Sequence, residues 1–163
     1  MLQAGEALLG AGCAVMGAST RLLLAGCGGT SQYTLDSSTG EFLLDRSLTA
    51  PPTVTAGQEV TVSSPTPHTV EEPFACVVQS LRRDNLVTHH HTGLAALDLY
   101  EVLVGGGLWI SPPDLGLLYH GVPLAFIAEK AGGRVVPHIL EILPNNIHQK
   151  VPLAVLMALD LDM

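Results

Sequence analysis

The chain has 163 residues, 47% of them hydrophobic and 13% charged, and a formal net charge of -8. That length suffices for one ordinary domain with a core, and so acidic a balance does not attract phosphate backbones, so nucleic acid is not an expected partner. No apolar run reaches the roughly 18 residues that a membrane span needs, so no membrane partner is expected, and the high apolar fraction points to surface covered by another chain or domain.

In chain order, residues 5–16 (GEALLGAGCAVM) read as a helix rich in small residues, and 20–25 (TRLLLA) as a buried strand. Residues 32–35 and 41–44 are expected strands around the turn Asp36-Ser-Ser-Thr-Gly40. The stretch 47–67 is rich in Pro, Thr and Ser and reads as a long loop holding one strand at 59–63. Residues 69–84 predict a helix: Thr69 can cap it, Glu71 and Glu72 suit the positive end of the dipole, and Arg82 and Arg83 suit the negative end. A second helix is expected over 94–104, closed by Gly105–Gly107. A third spans 122–131, closed by Gly132-Gly133. Strands are expected at 108–111, 134–136 and 151–157. Strands alternating with helices argue for a layered α/β domain with a mixed sheet.

Three cysteines, Cys13, Cys27 and Cys76, form no CxxC pair and no disulfide framework, which suits reduced thiols in a cytosolic or organellar protein. The apolar opening 2–24 is broken by Glu6, Arg21 and several glycines and has no basic n-region, so no leader is expected. Residues Gly105–Gly107 are not a phosphate loop, since no Lys-Ser/Thr follows them. Trp109 stands in an apolar strand as a core residue. Glu129-Lys130 is explained by a helix-end ion pair plus the glycine cap.

Five segments carry a resemblance. Residues 12–25 (GCAVMGASTRLLLA), 33–44 (YTLDSSTGEFLL), 93–107 (GLAALDLYEVLVGGG), 117–133 (LLYHGVPLAFIAEKAGG) and 146–150 (NIHQK) are similar, in order and at nearly matching spacing, to motifs of the class I fructose-1,6-bisphosphatase and sedoheptulose-1,7-bisphosphatase family. Those motifs read AAGYxxYGSxTxLVLA, FxLDPxxGEFxL, GSMVADVHRxLxxGG, LLYExxPxAxxxEKAGG and DIHQR. The resemblance implies that residues 1–163 form a single domain corresponding to the family's C-terminal half, a layered α/β/α sandwich with a mixed sheet. The N-terminal metal-binding half, with its DPLDGSSN-like segment, has no counterpart in this sequence.

What the resemblance implies about chemistry is magnesium-dependent hydrolysis of a sugar bisphosphate, in gluconeogenesis or the Calvin cycle. Carboxylate-held Mg²⁺ would activate water and neutralise phosphoryl charge. The aligned contact positions differ, however. The family's metal Glu in LLYE falls on His120, and an imidazole suits Zn²⁺ or Mn²⁺ better than Mg²⁺. The family's phosphate-holding Asn aligns with Ser64, its Arg-Tyr pair with His90 and His91, and its Tyr with Ser111. In the shortened loop 111–115 its Lys is lost or replaced by Asp114, exchanging attraction for repulsion. No catalytic residue is assigned, and the expected cofactor is Mg²⁺ by the resemblance, with none in this chain as the alternative.

Two further expectations concern single side chains. Asp98 is read as a structural hydrogen-bonding carboxylate. A transition-metal site shared by His89 and His91 with His120 and Asp98 stands against partly exposed imidazoles at a strand end, since alternate residues of a strand share a face. Two functions follow: a truncated hydrolase half, inactive alone, or a non-catalytic module pairing with an intact bisphosphatase subunit. Expected partners are a sugar bisphosphate and either further copies of the chain in a homo-oligomer or a full-length relative. The expected compartment is the cytoplasm, with the chloroplast stroma as the alternative.

Overall fold

The computed structural model describes residues 2–48, 59–64, 74–84 and 86–159, and its strands fall into two sheets. One is antiparallel and sequential: β1 (Ala11–Val15), β2 (Arg21–Gly26), β3 (Gly29–Asp36) and β4 (Glu41–Leu48). The other is mixed, with spatial order β6 (Leu86–His90), β5 (Glu59–Ser63), β7 (Gly107–Ile110), β9 (Ala154–Met157) and β8 (Arg134–Val136). Its β5 runs parallel to both β6 and β7, and β9 runs antiparallel to β7 and β8. Among the described residues three α-helices complete the fold: α1 (Phe74–Asp84), α2 (Ala95–Gly105) and α3 (Val122–Lys130). Among the described residues no helix is long and apolar enough to cross a membrane.

The layers follow from the two faces of the mixed sheet. On β7 and β9 the side chains alternate between two cores. Trp109, Val155 and Met157 join α2, α3 and Leu23 of the antiparallel sheet. Leu108, Ile110, Ala154 and Leu156 join Val60 and Val62 of β5 and Phe74, Val78 and Leu81 of α1. With helices on both faces, these central strands are buried throughout, which is why they read as continuous apolar runs without alternation. The α/β/α sandwich is therefore present as α1, mixed sheet, and α2 with α3, and the antiparallel sheet adds a further layer over α2 and α3. Thr30 Oγ1 of β3 donates to the Ile127 carbonyl of α3 at 2.8 Å, tying that layer down.

One expected helix is a strand. Residues 5–16 form a single 3-10 turn, Gly5–Ala7, and then β1. A Cβ on Gly12 would lie 2.8 Å from the Leu24 side chain and 3.0 Å from the Leu23 carbonyl, so the small residues serve close strand pairing and not helix packing. The other expected elements lie where the sequence places them, to within a few residues; of β6 only a strand end near the histidines is expected. The hairpin turn between β3 and β4 is held by Asp36, whose carboxylate accepts from Ser38 N at 2.8 Å and Ser38 Oγ at 2.7 Å, and these bonds lower its pKa. The start of the expected helix at 69–73, including its cap Thr69, lies outside the described residues, as does most of the loop around β5.

Two glycine positions are dictated by the backbone. Gly107 has φ +123°, and a Cβ there would sit 2.2 Å from the Thr61 carbonyl oxygen where β7 begins beside β5. Gly132, at φ +85°, closes α3: its N–H donates to Glu129 O, and Gly133 N–H donates to Ala128 O, the paired bonds of a Schellman motif. Beside this cap no Glu129–Lys130 ion pair forms; the Lys130 ammonium lies 5.3 Å from the centroid of the Phe126 ring instead. Trp109 is wholly buried, as expected of a core residue.

Candidate functional site

The residues singled out from the sequence are distributed over three places. His91, Asp114 and His120 line one cleft of about 440 Å³, together with Asp98, Tyr119 and Lys150. Four segments build it: the turn after β6, the first turn of α2, the chain from Pro112 to His120, and Lys150 ahead of β9. The segment from Pro112 ends in a π-helical turn, Leu117–Gly121, in which the Gly121 N–H reaches back to Gly116 O at 2.9 Å and which runs directly into α3. Such turns re-aim side chains. Here Tyr119 and His120 are both exposed, with their rings edge-on at 4.7 Å.

Asp98 is the fixed point of this cleft. It is 1% exposed, and its Oδ1 accepts from Thr92 N at 2.8 Å and Thr92 Oγ1 at 2.7 Å. This is the structural role read from the sequence: the carboxylate holds the turn 91–94 against the start of α2. Its second oxygen, Oδ2, is buried and lies 3.0 Å from His91 Nδ1, a contact that makes no hydrogen bond. At the cleft's rim Lys150 Nζ stands 3.6 Å from Asp114 Oδ2, both side chains being largely exposed.

Ser64 and Ser111 are buried and do not line the cleft. Ser111 Oγ donates to Pro112 O at 3.1 Å and accepts from Leu153 N at 2.9 Å, while Ser111 N donates to Leu153 O at 2.8 Å, so this serine clamps the end of β7 to the segment before β9. His90 faces a second cleft, shared with Arg21, Arg46, Tyr100 and Glu101. Its Nδ1 lies 2.5 Å from Glu101 Oε2. In the same cleft Arg21 donates to Tyr100 Oη at 2.6 Å and lies over that ring.

The metal grouping weighed from the sequence takes a different form. His89 is engaged with Arg82 Nη2 at 2.8 Å, and His120 belongs to no cluster of three ligand-bearing side chains among the described residues. The one such cluster is His90, Asp98 and Glu101, whose ligand atoms lie within 4.8 Å of one another. Strand alternation misled here because β6 ends at His90, so His91 lies beyond the pleat. The missed residue, Glu101, had a legible signal: Asp98 and Glu101 stand three apart on α2, and that spacing puts them on one helix face.

Comparison with known proteins follows this geometry closely. The family described as Fructose-1-6-bisphosphatase, C-terminal domain, matches residues 55–162. The class 1 fructose-1,6-bisphosphatase of a Synechococcus species is 33% identical, covering 95% of this chain and 49% of that protein. That of Oleidesulfovibrio alaskensis is also 33% identical, covering 99% and 53% respectively. The crystal structure of Leishmania major fructose-1,6-bisphosphatase in holo form superposes with a TM-score of 0.81 at 28% identity, covering 93% of this chain and 51% of that one. The chain thus spans about half the length of the relatives it matches. With the family model matching residues 55–162 and relatives 33% identical across nearly all of the chain, the chain belongs to the fructose-1,6-bisphosphatase family.

Proposed function

We propose that this chain is a sugar-bisphosphatase C-terminal domain that keeps the family's scaffold and, on its own, releases no phosphate from a sugar bisphosphate. The observation that carries the reading is the charge of the cleft. Two carboxylates, Asp98 and Asp114, face one ammonium, Lys150, and Asp114 already engages it. A dianionic phosphoryl group entering there meets like charge with no guanidinium to fork onto it. The family's Mg²⁺ does not fit His120 either. Magnesium takes oxygen ligands in octahedral array, and His120 offers an exposed imidazole packed against Tyr119, outside any three-ligand cluster among the described residues. What these side chains do instead is hold the fold: Asp98 and Ser111 spend their polar atoms on backbone N–H groups.

The test is phosphate release from fructose 1,6-bisphosphate by the purified chain, with Mg²⁺ and separately with Mn²⁺, alongside a thermal melt followed by Trp109 fluorescence. The expected result is a cooperative melt with no release above a blank. Release well above the blank refutes the reading.

A second reading is supported by a separate observation. On the face of the antiparallel sheet turned away from Leu23 and α3, Leu24 of β2 and Phe42 and Leu44 of β4 are 42–61% exposed. This apolar surface suits a module that pairs with an intact bisphosphatase subunit or with further copies of itself. Co-elution with a full-length relative in size-exclusion chromatography supports this; a strictly monomeric chain in such a mixture refutes it.

A further inference from the structure

We infer that His90, Asp98 and Glu101 form a site for one divalent transition-metal ion of the Zn²⁺ type. The site uses no position to which the family resemblance assigns a metal. Three side chains from two adjacent elements converge: His90 from the end of β6, and Asp98 and Glu101 from successive turns of α2. Their ligand atoms lie within 4.8 Å of one another. Around a tetrahedral ion with bonds of about 2.1 Å, ligand atoms stand about 3.4 Å apart. His90 Nδ1 and Glu101 Oε2, now 2.5 Å apart in contact with each other, must separate to that spacing around an ion, and rotation of these side chains, 50% and 33% exposed, allows it.

The independent observation is Asp98 Oδ2. It is buried, in a side chain 1% exposed, and it has no hydrogen bond. Its one close neighbour is His91 Nδ1 at 3.0 Å, which makes no hydrogen bond to it, and a buried carboxylate oxygen so poorly satisfied is costly; a bound cation removes that cost. The other oxygen is pinned by Thr92 N and Oγ1, so the carboxylate cannot rotate away. That is the outer-shell support that metal-ligating carboxylates receive. One imidazole nitrogen with two carboxylate oxygens favours Zn²⁺, or another borderline ion of that class, over Mg²⁺ or Ca²⁺. Three protein ligands leave a fourth position open to water. His91, whose Nδ1 lies 3.0 Å from Asp98 Oδ2, stands on the cleft side of the same carboxylate and links the ion to the cleft.

Calorimetric titration of the chelator-treated full chain with ZnCl₂ at neutral pH, with MgCl₂ in parallel, tests the site. One equivalent of Zn²⁺ is expected to bind in the micromolar range, with no heat from Mg²⁺ at the same concentrations and a rise in Tm on Zn²⁺ addition. The substitutions His90→Asn and Glu101→Gln alter exposed side chains and leave the core intact, so circular dichroism should be unchanged. Each is expected to weaken Zn²⁺ binding by about tenfold or more. His89→Asn and His120→Asn should not weaken it. A folded chain that binds no Zn²⁺ overturns the inference, and so does affinity that survives H90N and E101Q or is lost in H89N or H120N.

Discussion

Asp98 offers the sharpest test of how this fold is held. Replacing it by Ala removes the acceptor for Thr92 N and Thr92 Oγ1, both within 2.8 Å. A hydrogen bond to a charged group contributes about 1.5–3 kcal/mol, so two contribute about 3–6. Against this stands relief: the same change removes a buried carboxylate with one unpartnered oxygen, whose desolvation costs about 1–3 kcal/mol. The net expectation for Asp98→Ala is a loss of about 2–4 kcal/mol. Asp98→Asn keeps a carbonyl oxygen for Thr92 and loses only the charge assistance, so it should cost about 1 kcal/mol. The measurement is urea unfolding in a chelating buffer, read through the single, fully buried Trp109. The chelator separates the structural role from any metal. At about 2–4 °C per kcal/mol for a chain of this size, the Ala variant should melt about 5–15 °C lower. An Ala variant as stable as the parent, or less perturbed than Asn, would refute the reasoning: the carboxylate's burial would then outweigh its hydrogen bonds.

Gly107→Ala places a methyl group 2.2 Å from the Thr61 carbonyl at a φ of +123°, and is expected to cost about 3 kcal/mol or more, or to abolish the cooperative melt. Asp114→Ala breaks only a 3.6 Å pair between exposed side chains, so denaturant midpoints should shift by less than about 0.5 kcal/mol. Burial pushes the Cys13 thiol from 9.0 up to about 11, whereas Cys27 is exposed; thiol labelling of the native chain near neutral pH, read by peptide mass, should modify Cys27 well ahead of Cys13. The same shift has a sign in stability. Above pH 9 the unfolded thiol loses its proton while the folded one keeps it until about 11, so stability falls through that window by up to about 2 kcal/mol, and a Cys13→Ala variant should lack that part of the fall.

Most of the fold was legible because its signals are local. The caps of α2 and α3, the hairpin turn at Asp36 and the apolar runs of β7 and β9 each lie within a few residues of one another, and each is found where it was read. The misread element, β1, is the one decided at a distance. A run of Gly, Ala and Cys has no strong period of its own, and its pairing with β2 settles the matter. The two-sheet arrangement was equally hidden, since nothing in the spacing of β4 and β5 says that the chain changes sheets between them. Within the site, the role of Asp98 was readable from the sequence, but its neighbour His91 and the convergence of His90 with Glu101 were not. The alternation rule needs to know where β6 stops, and that end is fixed by pairing with β5 at Ser63↔His90.

The same distinction explains why this chain departs from its relatives where it does. Gly107, Gly132 and Gly133 are fixed by backbone geometry: a side chain at Gly107 would strike the Thr61 carbonyl, and one at Gly133 would meet the Met157 sulfur at 2.3 Å. Asp98 satisfies a backbone N–H group whose donor would otherwise be left unpaired. These positions resist change for reasons of folding alone. Asp114 and His120 are exposed, and neither holds a strand or cap in place. If, as proposed, the chain is relieved of phosphate chemistry, these exposed positions can change without unfolding it, whereas Ser111, which also differs from the family motif, is buried and clamps the end of β7 to the segment before β9.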